Sequence, residues 1–182
     1  TYRAPTASVK VSPYSTTMSI NPRAALRLSM QSISSLQEGM LAPDFTAQIT
    51  SGKTVHLKDY RGRKTVLYFY PKDDTPGCTV ESCGLRDQYQ KIRELGAEVL
   101  GVSVDGVESH KHFTEKFHLP FQLVADADHK ITKAYGVLND KSNMARRVTF
   151  LIDEHGKIFK IFQTVKPDQH PQEVLDALSG KL

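Results

Sequence analysis

The stretch Tyr68-Phe69-Tyr70-Pro71-Lys72-Asp73-Asp74-Thr75-Pro76-Gly77-Cys78-Thr79-Val80-Glu81-Ser82-Cys83 decides how the chain is read. The run from Thr65 to Tyr70 is rich in β-branched and aromatic residues and is closed by Pro71, which predicts a buried strand ending at the proline. Thr75-Pro76 then reads as a helix start. Thr is a good N-cap, and Pro is tolerated at the first helical position, where no N–H partner is required. Cys78 therefore falls in the first helical turn. There the free backbone N–H groups and the positive end of the helix dipole favour thiolate over thiol.

The second cysteine adds geometry. With Leu85, Tyr89, Ile92 and Leu95 as the buried stripe of this helix, Cys78 projects onto the same side, whereas Cys83 lies about 160° from Leu85 at about 100° per residue. One sulfur faces inward and the other outward. Two residues five apart on an intact helix exceed the ~7 Å Cα separation a disulfide tolerates, so this pair can bond only if the helix locally unwinds. A reversible, strained disulfide is the resulting hypothesis. Gly77 and Gly84 lower the local helix propensity and are expected to ease that step.

A chain of 182 residues with 39% hydrophobic content supports one domain with a proper core. Its net charge of +4 is unevenly placed. Residues 1–37 hold Arg3, Lys10, Arg23 and Arg27 with no Asp or Glu, and everything from Glu38 onward is balanced. The basic excess thus gives little reason to expect nucleic acid binding. Acid-poor, Arg-containing and Ser-rich composition is that of an organelle transit peptide, the alternative being a disordered extension. Residues 1–37 are expected to be such a segment and 38–182 the folded domain. The chain opens on Thr1 rather than Met, so its true start is expected further upstream. No apolar run approaches the ~18 residues needed to cross a bilayer, and a soluble protein without membrane association is expected.

Two cysteines are too few for a disulfide scaffold, and seven scattered histidines offer no zinc spacing to accompany them. A redox pair fits better than a structural one. His110 and His112, two apart on a predicted helix from Ser109 to Phe117, point in different directions and are expected at the surface. No Walker-type loop and no GxGxxG follows a strand, so neither a nucleotide cofactor nor a metal is expected.

Along the rest of the chain, Phe45 to Ile49 predicts a short strand, and Ser51-Gly52-Lys53 a turn into a strand from Thr54 to Leu57. Glu98 to Val104 and Phe121 to Ala125 are further strands, Lys130 to Tyr135 a short helix, and Gly136 to Ala145 a polar connection. Arg147 to Asp153 and Ile158 to Phe162 form a hairpin, and Pro171 to Leu178 a closing helix. This order predicts an α/β fold: a mixed central β-sheet with helices on both faces.

On the residues alone, three classes stay open. They are a thiol peroxidase, a disulfide oxidoreductase, and a redox-switched binding or chaperone module. The second is weakened because the spacing is Cys-x4-Cys rather than Cys-x-x-Cys.

Pro71, Thr75 and Cys78 in the pattern Pro-x-x-x-Thr-x-x-Cys, preceded by Phe69-Tyr70 and followed by Cys83, resemble the peroxiredoxins. The likeness is to the Q-type, bacterioferritin-comigratory-protein branch, and Arg147-Val-Thr-Phe-Leu-Ile-Asp153 is similar to the segment carrying that family's active-site arginine. The resemblance covers roughly Glu38 to the C-terminus. It implies a thioredoxin-like fold and a peroxidase reducing hydrogen peroxide and organic hydroperoxides. It further implies Cys78 as peroxidatic and Cys83 as resolving cysteine, with thioredoxin or a similar dithiol protein as reductant. Arg147 would supply the permanent cation and Thr75 a hydroxyl donor, with Arg146 a competing arginine. Pro71 would shape the loop, and Glu81 would orient Arg147 or Thr75. A monomer is implied because resolution is intramolecular. Together with the Ser-rich leader, the resemblance points to the plastid, with mitochondrion or cytoplasm as alternatives.

Overall fold

The structure, a computed structural model, describes residues 35–181. The transit-peptide expectation falls almost wholly on residues 1–34, outside the described residues. In chain order the elements are β1 (Thr46–Gln48), β2 (Thr54–His56), β3 (Lys64–Phe69), α1 (Pro76–Glu94), β4 (Ala97–Ser103), α2 (Val107–Phe117) and β5 (Gln122–Ala125). There follow α3 (Lys130–Ala134), β6 (Leu138–Asn139), β7 (Met144–Ala145), β8 (Val148–Ile152), β9 (Ile158–Phe162) and α4 (His170–Leu178).

β3, the apolar run ahead of Pro71, is the middle strand of a five-stranded sheet of order β5-β4-β3-β8-β9. It runs parallel to β4 and antiparallel to β8, so the sheet is mixed as expected. Val66, Tyr68 and Tyr70 face one core and Leu67 and Phe69 the other, all fully buried. Coverage on both faces is why this strand reads as a continuous apolar run instead of an alternating one. Each such side chain withdrawn from water contributes ~1.5–3 kcal/mol.

The crossovers β3-α1-β4 and β4-α2-β5 step the same way along the sheet, so their right-handedness puts both helices on one face. There Leu85 and Ile92 of α1, Phe113 of α2 and Val174 of α4 share a core. The opposite face is covered by shorter pieces: Ile131 of α3, Tyr135, and Phe45 and Ile49 around the β1–β2 hairpin. Leu57, expected to end β2, instead begins a 3₁₀ turn, Leu57–Tyr60, that drops it into this second core. The polar connection 136–145 also holds a two-stranded ribbon, β6 with β7.

α2 begins at Val107, two residues earlier than expected, and it corrects the reading of its histidines. His112 is exposed, but His110 is fully buried. It lies one turn before Phe113, on the face that packs against the sheet. Both of its ring nitrogens have partners there: Nδ1 is 2.7 Å from Asp73 Oδ2 and Nε2 is 3.0 Å from the Val124 carbonyl.

Candidate active site

The pairing of the strands fixes where the reactive groups meet. β8 is antiparallel to β3 with Val148 opposite Phe69, so the start of β8 lies beside the end of β3, where the chain turns towards α1. Arg147 precedes β8 at that point. Its Nη2 donates to Cys78 Sγ at 3.3 Å, and its Nη1 donates to Glu81 Oε2. Arg146, the neighbouring candidate, is exposed and donates to the Gly136 carbonyl instead.

Cys78 is the third residue of α1 and is 1% exposed. Pro76 at the first helical position has no N–H, which leaves Gly77 and Cys78 with backbone donors that have no carbonyl four residues back inside the helix. Thr75 holds the N-cap position in extended conformation, yet its side chain makes no cap bond. Its hydroxyl donates back to the Lys72 carbonyl at 2.9 Å. The sequence-based picture of a capping threonine is corrected accordingly: the hydroxyl closes the loop and leaves the helix donors free for an anion. With its hydrogen engaged, Thr75 Oγ1 offers lone pairs to a substrate rather than a hydrogen. Pro71, half-buried, begins this loop directly after Tyr70.

Glu81, one turn on from Cys78, is fully buried, and its Oε1 has no hydrogen-bond partner. Burial pushes its carboxyl up to about 7, against the downward pull of the Arg147 charge. Burial acts to lower the Arg147 guanidinium, but Glu81 and the Cys78 sulfur outweigh it and raise its pKa. Ser82 completes this buried side of α1 by pairing with the Tyr68 hydroxyl at 3.0 Å.

The two glycines belong to tertiary contacts. A Cβ at Gly77 would stand 3.2 Å from Arg147 Nη2, and one at Gly84 only 2.5 Å from Pro171 Cγ. Their absent side chains let the guanidinium reach the sulfur and let α4 seat against α1. Cys83 is half-buried and, like Cys78, a free thiol, lying on the other flank of the helix. A cleft of about 720 Å³ lies elsewhere, between β1 and α3, with neither cysteine in its walls.

A buried free thiol, a guanidinium donating to its sulfur and a helix start thus meet at one point. Residues 39–161 match the AhpC/TSA family, and the chain is 44% identical over 149 residues to peroxiredoxin Bcp of Bacillus subtilis. That match spans 79% of this chain and 95% of the relative. The chain belongs to the AhpC/TSA family, in its Bcp/Q branch of peroxiredoxins. It is similar too to a chloroplastic peroxiredoxin Q of Triticum aestivum, 40% identical over 147 residues, covering 80% of this chain and 68% of the wheat protein. Among solved structures, a bacterioferritin comigratory protein of Xanthomonas campestris, described for its alkyl peroxide reduction activity, superposes with a TM-score of 0.71. It is 32% identical and covers 75% of this chain and 90% of that one. The thioredoxin-like fold and the thiol peroxidase activity of this peroxiredoxin follow from that membership.

Sequence reasoning passed over Asp73 and set His110 at the surface. Asp73 stood in plain view inside the quoted stretch, but nothing local says that its partners come from α2.

Proposed function

We propose that Cys78 is the peroxidatic and Cys83 the resolving cysteine of a peroxidase that reduces hydrogen peroxide and organic hydroperoxides. The observation that carries the reading is the 3.3 Å contact from Arg147 Nη2 to Cys78 Sγ at the start of α1. The Cys78 thiolate attacks one peroxide oxygen, the O–O bond breaks, and the departing oxygen takes a proton to leave as water or alcohol. Cys78 becomes a sulfenic acid. Arg147 and the free N–H groups of Gly77 and Cys78 stabilise the sulfur anion and the charge that develops on oxygen. Thr75 Oγ1 accepts the hydroperoxide O–H and orients it, and Pro71 keeps the loop closed against water. Glu81 orients the guanidinium.

Cys83 then attacks the sulfenic sulfur, water leaves, and a Cys78–Cys83 disulfide forms. A thioredoxin-type dithiol reduces it by exchange and is itself oxidised. Because both thiols sit on α1, a monomer suffices. The Ser-rich composition of residues 1–37 and the wheat relative's plastid name support a plastid address, tested by the destination of a fluorescent protein fused behind residues 1–37.

The central test is peroxide consumption with a thioredoxin system, read together with mass spectrometry of the cysteines. Cys78→Ser should abolish turnover. Cys83→Ser should allow a single oxidation of Cys78 and no cycling. Full activity in Cys78→Ser would sink the mechanism.

A further inference from the structure

We propose that His110 is a positioning residue for the peroxide step: from α2 it holds, through Asp73, the Lys72–Thr75 loop that carries the Thr75 hydroxyl, three residues before Cys78. The inference rests on the roles given above to Cys78 and Thr75.

Asp73 is 7% exposed and sits two residues before Thr75. Its carboxylate meets three partners, one just past the end of β3 and two on α2. The Tyr70 hydroxyl donates to Oδ1 at 2.6 Å, the Ser109 hydroxyl to Oδ2 at 2.8 Å, and His110 Nδ1 lies 2.7 Å from Oδ2. Its backbone N–H donates to Asp105 Oδ2 at 2.9 Å, on the loop between β4 and α2. The loop is thus anchored at both its main chain and its side chain, and nearly all the anchors come from α2 and the turn that leads into it.

His110 is the member whose chemistry is most constrained. It is fully buried, and each ring nitrogen faces an acceptor oxygen, one of Asp73 and one of the Val124 carbonyl on β5. The ring is thereby clamped between the loop, through Asp73 Oδ2 at 2.7 Å, and β5, through the Val124 carbonyl at 3.0 Å. Through it the loop is tied to the edge of the central sheet.

The loop needs such a tie. Asp74, between the anchor and Thr75, has φ of 55°, a left-handed conformation that a non-glycine residue adopts only when its surroundings hold it there. Lys116, also on α2, grips the Asp74 carboxylate from outside at 2.6 Å. One helix therefore fixes both residues that precede Thr75. A Thr75 hydroxyl displaced by about 1 Å would lose alignment with the peroxide while leaving the sulfur itself in place.

The test separates the steps of the cycle by stopped flow. In His110→Ala the rate constant for Cys78 oxidation by hydrogen peroxide should fall at least ~tenfold, while attack by Cys83 on the sulfenic acid stays within about twofold. His110→Gln, which returns a donor to Asp73, should recover to within about threefold of the parent. Asp73→Asn added to His110→Ala should cost little more, because the two act as one unit. In the parent protein, a slowly exchanging ring N–H proton of His110 should appear in proton–nitrogen NMR spectra. An unchanged peroxide step, equal losses in both steps, or a glutamine no better than alanine would overturn the proposal. If His110→Ala does not fold, Ser109→Ala decides. It removes one Asp73 bond at an exposed position and should slow the peroxide step about two- to threefold; no change there counts against the proposal. Peroxide-dependent oxidation of Cys78 in the parent, absent in Cys78→Ser, is read in the same experiment, so failure of the Cys78 assignment would be recognised separately.

Discussion

Replacing Glu81 by glutamine should flatten the pH dependence of stability. In the folded chain burial lifts the Glu81 carboxyl from its ordinary 4.5 to about 7, although Arg147 pulls the other way. Unfolding returns the carboxyl to water and to its ordinary value. The native state therefore binds a proton that the unfolded state gives up. The stabilisation from that proton is fully present below about pH 4.5 and is lost as pH rises through about 7. At ~1.4 kcal/mol per pH unit, the interval amounts to ~3 kcal/mol, a large share of the ~5–15 kcal/mol that separates folded from unfolded domains. Glutamine fills the same space with no titrating group. Urea unfolding of the reduced wild type and of Glu81→Gln, repeated from about pH 4.5 to about pH 8, isolates the effect, because the other groups titrate alike in both. The wild type should lose ~3 kcal/mol relative to the variant across that range. Parallel curves would show that the guanidinium cancels the effect of burial, and a wild type that gains with rising pH that it outweighs burial.

The remaining predictions concern contacts around the same helix. Gly84→Ala should destabilise by ~1–3 kcal/mol in denaturant unfolding, since its Cβ would fall 2.5 Å from a rigid proline ring. A gain of ~1 kcal/mol, as helix propensity alone dictates, would refute the contact. Gly77→Ala should leave global stability nearly unchanged but slow peroxide oxidation of Cys78 about tenfold in stopped flow, because its Cβ would press on Arg147 Nη2 at 3.2 Å. Arg147→Ala should slow that step by about two orders of magnitude and the resolving step far less; an unchanged peroxide rate constant would remove Arg147 from the site.

Much of the architecture was legible because its signals are local. The strand before Pro71, the helix after Thr75 and the inward stripe of Cys78, Leu85 and Ile92 each follow from a few neighbouring residues. Arg147 was found through a pattern rather than a contact, and the strand register explains why that pattern lands beside Cys78. His110 was missed for a physical reason. The angle between residues two apart on a helix bears on chelation by His110 and His112, not on burial. Burial of His110 depends on Asp73, 37 residues away in sequence. Gly77 and Gly84 were read by helix propensity, a property of one residue, whereas their spacing from Arg147 and Pro171 is a property of the packed fold. Thr75 shows the same limit: sequence names a good cap, but only the loop geometry reveals that Lys72 takes its hydroxyl hydrogen.

The proposed Cys78–Cys83 disulfide requires helix α1 to serve two conformations, and its contacts divide the labour along its length. From Cys78 to Ser82 only Cys78 reaches the apolar core, and the other holds are polar and charged: Arg147 on Cys78 and Glu81, and Tyr68 on Ser82. From Gly84 onward it is held by shape, with Pro171 seated on Gly84 and with Leu85 and Ile92 fully buried in the core. Polar contacts released into water recover most of their energy from hydration, while withdrawn apolar contacts do not. The segment between the cysteines is therefore the less costly one to unwind, and the break should stop at Gly84. Glu81 adds a sign to that step. Once unwinding returns its carboxyl to water, the proton retained by burial is released, so the unwound form gains on the folded one as pH rises towards about 7.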